Sequence, residues 1–375
     1  MRRWVINGRY LSQPLTGVQR CAHELVAALD KRISEGNEHA PGLSVELFAP
    51  PDARTLPEMN AIKVRSVGAR SGHAWEQYDL ATAAQGRGLL SLCNTGPVFH
   101  GRQIVCIHDV NTRIAPQSYT RTFRLLYRTL LPALGRSAIR VTTVSSFSAM
   151  EIARFGVARP GKIRVIYNGA DHARGWPVEA SDRIGAVAGP STVVAFGSAA
   201  PHKNIEMLVG LAGRMAEVGL KLAIAGGAAP RIFANGTTQT LPPNVIWLGR
   251  VSDGELAALL ANCLCLAFPS LTEGFGLPPL EAMTRGCPVI ASDRGSLPEV
   301  LEGAALFAAA DAPEEWMQLF LGLHDNREAR LELADEGMRH ARGFTWRSAA
   351  ESYLALMAEC DGLQMSAPTE RRMSA

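Results

Sequence analysis

Two glutamates, Glu273 and Glu281, lie eight positions apart and enclose the glycine-rich segment GFGLPPL. The two prolines suit the first turn of a helix, where a missing N–H group costs nothing. Glu281 would then lie about one turn inside that helix, and Glu273 would lie in the loop before it. Backbone N–H groups and the positive end of a helix can hold a phosphate. The pattern therefore predicts a site for a phosphorylated sugar, although a solvated turn before an amphipathic helix would show the same spacing.

A second candidate phosphate site is the turn GSAAPHKNIEML, which follows an apolar run and contains Ser198 and Lys203. A strand, a small-residue turn with a lysine and a helix near Asn204 can form a phosphate pocket. An ordinary turn with an exposed lysine is the alternative. Gly17 precedes a helical pattern and offers a further helix start for an anion. The chain has no GxGxxG sequence, which argues against a nicotinamide dehydrogenase.

His108 and Asp109 end an apolar run in the segment CIHDVNTRIAP. Such a pair can act as a base and the group that orients it, but a histidine at a strand end can equally be structural. The carboxyl ends of strands in open α/β sheets face the ligand crevice, which favours a place near the substrate. No Asp-x-Asp pair occurs in the sequence, so no metal site is expected.

Short apolar runs alternate with helical patterns in both halves of the chain. The strands and helices that they predict must position the candidate site residues. Continuous apolar strands between helices indicate parallel sheets covered on both faces. Residues 171–191 are rich in Gly, Pro and Ala and are predicted to be a linker. Two such halves predict two Rossmann-like domains with a cleft between them. The predicted strands are residues 4–6, 45–48, 89–92, 104–107, 141–144, 163–166, 192–196, 221–225, 245–248, 263–268, 289–291 and 305–307.

Composition indicates a cytosolic setting without nucleic acid. The net charge is only +3, and the seven cysteines form no CxxC pair, which suggests reduced thiols. The basic start MRRWVINGRY has too short an apolar run for a signal peptide. The most apolar window, residues 256–268, is too short to span a bilayer.

One basic segment points to the membrane surface. Residues 100–140 carry seven arginines against a single acid, Asp109. A helix there would place arginines on one face and apolar residues opposite, although Pro132 must kink or end it. Such a helix can lie on an anionic membrane, or it can be a core helix with a solvated face. The basic positions are Arg121, Arg124 and Arg128, and the apolar positions are Phe123, Leu126, Leu130 and Leu134.

The segment PSLTEGFGLPPLEAMTRGCPVIASDRGSLPEV resembles the E-x7-E motif of the retaining glycosyltransferases of family 4. The resemblance extends from Gly8 to the last helix, and the first half is similar to bacterial polysaccharide mannosyltransferases. It implies the α/β fold called GT-B, with two Rossmann-like domains whose parallel sheets face a cleft. An acceptor-side domain would span residues 1–172, joined by a returning C-terminal helix at 345–375. A domain for the nucleotide sugar would span residues 188–344.

The resemblance also implies roles for individual residues. Lys203 would bind the donor diphosphate, while His202 stands where many members have an arginine, so either the phosphate affinity would be weaker or another arginine, Arg250 or Arg9, would assist. Glu281 would hold the ribose, and Glu273 would orient the donor sugar. Backbone groups of the loop at Arg250 and Val251 would hold the nucleobase. His108 and Asp109 would line the acceptor side, with Glu273, His108 and Lys203 as the catalytic group. The implied donor-binding residues are Gly17, Ser198, His202, Lys203, Arg250, Val251, Glu273, Gly274, Phe275, Gly276, Leu277 and Glu281.

The activity so implied is retaining transfer of a hexose, with mannose from GDP-mannose expected first. The acceptor would be a glycan or a lipid-linked saccharide in cell-surface polysaccharide synthesis, and neither a cofactor nor a metal is expected. A UDP-sugar-dependent glucosyl or N-acetylglucosaminyl transferase stays open, as do a phosphorylase and a non-catalytic nucleotide-sugar binder. The predicted location is the cytoplasm, with peripheral contact at the inner membrane face.

Overall fold

Two parallel β-sheets form the framework of the computed structural model, which describes residues 1–198, 200–227 and 241–363. The first sheet has seven strands in the order β3-β2-β1-β4-β5-β6-β7, and the second has six in the order β10-β9-β8-β11-β12-β13. The first-sheet strands are β1 Arg2–Asn7, β2 Leu43–Ala49, β3 Lys63–Ser66, β4 Gly88–Ser91, β5 Gln103–Cys106, β6 Arg140–Thr143 and β7 Ile163–Val165. The second-sheet strands are β8 Thr192–Gly197, β9 Lys221–Gly226, β10 Val245–Gly249, β11 Cys265–Phe268, β12 Val289–Ser292 and β13 Leu306–Ala308.

The central strands of both sheets are buried on both faces, because helices cover them on either side. Every residue of β4, β5, β11 and β12 is buried, which is typical of parallel strands. The chain order reverses between β1 and β4 in the first sheet and between β8 and β11 in the second. The loops after these strands therefore open at the topological switch points, where ligands bind in such sheets.

Helices surround the sheets, and several begin with side-chain caps. Ser252 and Glu255 form the expected capping box at the start of α10, and Ser145 caps α6. None of the helices in the described ranges combines the length and apolar character needed to cross a bilayer. In the first domain they are α1 Gly17–Ser34, α2 Gly72–Ala74, α3 Ala81–Ala83, α4 Asn111–Ile114, α5 Arg121–Ser137 and α6 Ser146–Arg154. The others are α7 Asp182–Gly185, α8 Ile205–Gly210, α9 Ala212–Glu217, α10 Asp253–Asn262, α11 Leu277–Thr284, α12 Leu297–Val300, α13 Pro313–Asp325, α14 Arg327–Ala341 and α15 Trp346–Cys360.

The last helix, α15, returns to the first domain and packs along α1. The Tyr353 hydroxyl lies 2.8 Å from the Thr142 hydroxyl in the buried interface. The side chain of Asp171 accepts a hydrogen bond from the backbone N–H of Trp346 and so fixes the start of the helix. The two Rossmann-like domains and the returning helix confirm the fold class predicted from the sequence.

Three local features differ from the sequence prediction. The edge strand β3 was not predicted, since three of its four residues are polar and exposed. The supposed linker contains the short helix α7 and buried residues such as Trp176 and Ile184. The C-terminal helix, predicted at 345–375, ends at Cys360, and Asp361 just beyond it accepts a hydrogen bond from Trp4 at 3.0 Å, while residues 364–375 lie outside the described residues.

Helix α5 does not end at Pro132 but continues to Ser137. Proline has no N–H group, so the carbonyl of Arg128, four residues earlier, loses its helical donor. The guanidinium of Arg113 donates to this carbonyl at 3.0 Å and replaces the missing bond. In the N-terminal half of the helix, Phe123 and Leu126 are 37% and 42% exposed, while Tyr127 packs against the core of the first domain.

Candidate active site

The loop that carries Glu273 lies directly against the first domain. A Cβ atom on Gly274 would lie 2.8 Å from the carbonyl oxygen of His108 and 3.0 Å from the Cβ of Asp109. The hydroxyls of Ser145 and Ser148 donate to the Gly274 carbonyl at 2.7 and 3.1 Å. A glycine is thus required here, and the two predicted motifs, one from each domain, meet at this point.

Lys203 and Glu273 form an ion pair at the centre of this junction. The Lys203 Nζ lies 2.6 Å from Glu273 Oε1 and 5.4 Å from the centre of the Phe268 ring. Both side chains are partly exposed toward the cleft. Burial raises the pKa of the neighbouring Asp109, and the negative charge of Glu273 raises it further. One cation therefore serves two nearby acids, and an arriving diphosphate would compete for it.

Three consecutive amides beside this pair have no internal partner. The backbone N–H groups of Gly274, Phe275 and Gly276 make no hydrogen bond to any group in the described parts of the chain. Gly276, the N-cap residue of α11, has a φ of 91°, and Pro278 lies in the first turn as expected. These amides and the helix start can bind anionic or hydroxyl oxygen atoms.

Glu281 lies in α11 and is 6% exposed. Its Oε1 accepts a hydrogen bond from His172 Nε2 at 3.0 Å. The indole N–H of Trp346 donates to His172 Nδ1 at 3.0 Å, which leaves Nε2 as the donor to Glu281. The proposed ribose-binding acid is therefore linked through one imidazole to the returning helix α15.

Arg20 on α1 joins the first domain to the loop predicted to hold the nucleobase. It contacts both carboxylate oxygens of Asp253, at 3.0 and 2.6 Å, and its Nε lies 3.9 Å from Glu281. Burial lowers the pKa of Arg20, but these carboxylates raise it above its ordinary value. Arg20 and His172 were not predicted from the sequence, because nothing near them in the chain indicates partners so far away.

The loop of Arg250 and Val251 follows β10, as predicted. Arg183 on α7 donates to the carbonyls of Leu248 and Arg250 at 3.1 and 3.2 Å and pairs with Glu255. The side chain of Arg250 is exposed, so it remains available for a phosphate. Their contacts to a nucleobase stay a prediction.

His108 lies at the junction, but its ring points into its own domain. Its Nε2 lies 2.8 Å from the Leu92 carbonyl oxygen, and the side chain is buried. Burial lowers its pKa, but the Cys106 thiol and the Leu92 carbonyl raise it to about 9. In this structure His108 shapes the backbone beneath Gly274, and direct contact with the sugar stays a prediction.

The remaining predicted donor-binding residues differ in their exposure and in their partners. His202 is buried, and its Nδ1 lies 2.8 Å from the Ser118 hydroxyl. Burial lowers the pKa of His202, and Lys203 lowers it further. His202 therefore does not supply the positive charge of the arginine that many family members have at this position. Ser198 is exposed, and a Cβ atom on Gly17 would contact nothing within 4 Å. Leu277 begins α11 and is buried.

Arg9, the other cation suggested for the diphosphate, is already engaged. Its Nη1 lies 3.2 Å from the carboxylate of the buried Glu76 and 2.8 Å from the hydroxyl of Thr95. Removing the guanidinium from this acid would leave a buried carboxylate without its charged partner. Of the two assisting cations suggested by the sequence, the exposed Arg250 therefore fits better.

Glu299 of the second domain caps helix α6 of the first. Its two oxygens accept from the backbone N–H groups of Ser146 and Phe147 at 2.6 and 2.9 Å. The Tyr167 hydroxyl donates to the same carboxylate at 2.8 Å. A negative group at a helix N-terminus is stabilised by the helix dipole, so this contact helps to hold the domains together.

Replacing His172 by phenylalanine should lower the free energy of unfolding by about 1–3 kcal/mol, because Glu281 loses a buried donor and Trp346 its acceptor. Chemical denaturation measures the change, and His172→Gln, which keeps one donor, should recover part of it. A loss of less than about 0.5 kcal/mol, the range of ordinary surface changes, would show that the imidazole does not stabilise the pair.

Two facing Rossmann-like domains, a returning C-terminal helix and a lysine–glutamate pair at the cleft define the GT-B class of glycosyltransferases. The sucrose-phosphate synthase of Thermosynechococcus elongatus has the same fold, with a TM-score of 0.70, 18% identity, and coverage of 96% of this chain and 100% of that one. At this level of identity the similarity supports the fold alone.

Family models match both domains. The model "Glycosyltransferase Family 4" matches residues 15–174, and "Glycosyl transferases group 1" matches residues 179–340. The first domain therefore belongs to glycosyltransferase family 4, and the second belongs to the glycosyl transferases group 1.

Two relatives are named as mannosyltransferases. The MMP alpha-(1->4)-mannosyltransferase of Mycolicibacterium hassiacum is 34% identical over 60% of this chain and 54% of its own length. The O-antigen chain mannosyltransferase RfbU of Salmonella typhimurium is 30% identical over 57% of this chain and 58% of its own. The chain thus spans just over half the length of each of these relatives.

Proposed function

We propose that this protein transfers mannose from GDP-mannose, with retention of configuration, to a glycan or a lipid-linked saccharide. The proposed setting is cell-surface polysaccharide synthesis at the inner face of the membrane. The names of the two relatives support the choice of sugar. The geometry of the cleft supports the transfer chemistry.

The observation that carries the proposal is the group of open amides at residues 274–276 beside the Lys203–Glu273 pair. Amides, a cation and an acid side by side match a sugar attached to a diphosphate, because such a molecule presents hydroxyls next to anionic oxygens. Lys203 would bind the diphosphate and stabilise it as the leaving group. Glu273 would accept hydrogen bonds from the sugar hydroxyls.

Glu281 would bind the ribose hydroxyls with its carboxylate. His172 holds one oxygen of that carboxylate at 3.0 Å and leaves the other for a ligand. The loop of Arg250 and Val251 would face the base. Because Arg20 lies near both Glu281 and Asp253, an entering nucleotide would find both domains already in place around its ribose.

The direct test is binding and transfer with a set of nucleotides. A ligand that binds only the folded protein raises its apparent melting temperature. GDP should raise that temperature more than UDP or ADP at equal concentration, and labelled mannose should pass from GDP-mannose to a saccharide acceptor. A shift in melting temperature with UDP alone would show that the donor is a UDP-sugar. The absence of a shift with any nucleotide would contradict the proposed function.

We expect transfer to continue in excess EDTA. No group of three or more His, Cys, Asp or Glu side chains that could hold a metal occurs among the described residues. Lys203 and the amides of α11 can neutralise the leaving diphosphate instead. Initial rates with EDTA and with added Mg²⁺ or Mn²⁺ should agree within experimental scatter. A rate that depends on either metal would contradict this prediction.

A further inference from the structure

A pocket of about 520 Å³ on the flank of the first domain is lined by four arginines. It lies between α4, the start of α5 and the end of α6. Its cations are Arg113, Arg121, Arg124 and Arg128, and Leu125 and Phe155 form part of its wall. It is separate from the cleft that holds Lys203 and Glu273.

The charge of this pocket is not balanced from within. Arg121, Arg124 and Arg128 have no carboxylate within 4.0 Å in the described part of the protein. Arg113 uses one N–H on the Arg128 carbonyl and lies 5.8 Å from the centre of the Phe155 ring. Four cations at one site repel one another, and a guanidinium group can bind a phosphate through two parallel N–H···O hydrogen bonds. The pocket is therefore complementary to a group with several negative charges, such as a diphosphate.

Apolar side chains stand exposed on the same helix. Leu125, which lines the pocket, is 66% exposed, and Phe123 and Leu126 are 37% and 42% exposed. Basic residues beside exposed apolar ones are typical of helices that lie at a membrane surface. The ligand that fits both features has an anionic head and an adjoining hydrocarbon chain.

The pocket lies within reach of the cleft. Thr112, which lines it, is three residues beyond Asp109, so their Cα atoms are at most about 11 Å apart. The two cap residues of helix α6 are Ser145, at the Gly274 carbonyl, and Phe155, in the pocket, and they are about 15 Å apart along the helix axis. A short saccharide can span this separation.

We propose that this pocket binds the diphosphate of a membrane lipid that carries the acceptor saccharide. The identity of that lipid as acceptor rests on the proposed transferase function, whereas binding of the diphosphate does not. The four arginines hold the head group, the apolar side chains of α5 contact the bilayer, and the saccharide extends toward Gly274.

Inorganic pyrophosphate tests the anion site by calorimetry. The combined variant Arg121→Gln, Arg124→Gln and Arg128→Gln should weaken one class of pyrophosphate site by about a hundredfold, as expected for lost charge-assisted bonds. A matched variant of three exposed arginines, Arg327→Gln, Arg339→Gln and Arg342→Gln, should change nothing. An unchanged isotherm in the first variant, with native circular dichroism, would overturn the proposal.

A different variant in the same experiment tests the proposed function. Lys203→Ala should remove the other class of pyrophosphate site, in the cleft. If Lys203→Ala has no effect while the arginine variant does, the donor assignment is wrong and the anion pocket stands.

Vesicles separate a lipid diphosphate from a general anionic surface. Wild-type protein should bind phosphatidylcholine vesicles that contain a polyprenyl diphosphate more tightly than vesicles with phosphatidylglycerol at equal surface charge. The arginine variant should lose this difference. Equal binding of the wild type to both vesicles would overturn the proposal, because a diffuse basic surface would explain it.

Discussion

Replacing Glu273 by glutamine should reduce sugar transfer by about a hundredfold or more, the effect of removing one group that acts on the transition state. Free GDP should still bind nearly as tightly. The reason is position, since Glu273 lies in the loop beside Lys203, where the sugar of the donor would be, and free GDP has no such sugar. Calorimetry with GDP and initial rates with GDP-mannose measure the two effects separately.

Glu281→Gln provides the opposite profile and so a control. Its carboxylate lies in α11 next to His172 and Arg20, where the ribose would be. Loss of this carboxylate should therefore weaken the binding of GDP itself. Glu328→Gln, an exposed residue in the first turn of α14, should leave both measurements unchanged. If Glu273→Gln and Glu281→Gln lose free GDP equally, the division of roles between the two acids is wrong.

Lys203→Ala should weaken the binding of GDP by about 1.5–3 kcal/mol, the contribution of a hydrogen bond between charged groups. The variant also leaves Glu273 and Asp109 without their shared cation, and both would then repel the diphosphate. The loss should therefore be smaller in a Lys203→Ala, Glu273→Gln double variant than the sum of the single effects.

Lys221→Ala removes an exposed lysine of the same domain and serves as the matched control. Calorimetry with GDP on the wild type, the two single variants, the double variant and Lys221→Ala completes the comparison. Unchanged GDP affinity in a folded Lys203→Ala protein would show that this lysine does not bind the donor.

Local patterns in the sequence predicted most of the fold. Twelve of the thirteen strands have the alternation of apolar runs and turns that marks buried parallel strands, as the bounds of β4 and β5 illustrate. The edge strand β3 lacks this signal, because its residues Lys63–Ser66 face solvent and pair on one side only. The path of α5 through Pro132 depends on Arg113, a contact between two elements that no local pattern contains.

The candidate site divides in the same way. Lys203, Glu273 and Glu281 were predicted because their spacing and their glycine and proline neighbours are local signals. His172 and Arg20 contact Glu281 from 109 and 261 positions away, so only the fold brings them there. His108 was predicted at the cleft, but the direction of its ring depends on Leu92 and Cys106, which the sequence could not supply.

The cap that Glu299 places on α6 makes the ionic strength of the solution a variable of domain motion. When the domains separate, this carboxylate leaves two backbone N–H groups that must then bind water or a dissolved anion. Concentrated salt both screens the attraction and supplies such anions. We expect the radius of gyration from small-angle scattering to increase with phosphate concentration. It should increase less in the Glu299→Gln variant, because its domains already separate more easily without the charged cap. A constant radius across that series would mean that the cleft opens about some other contact.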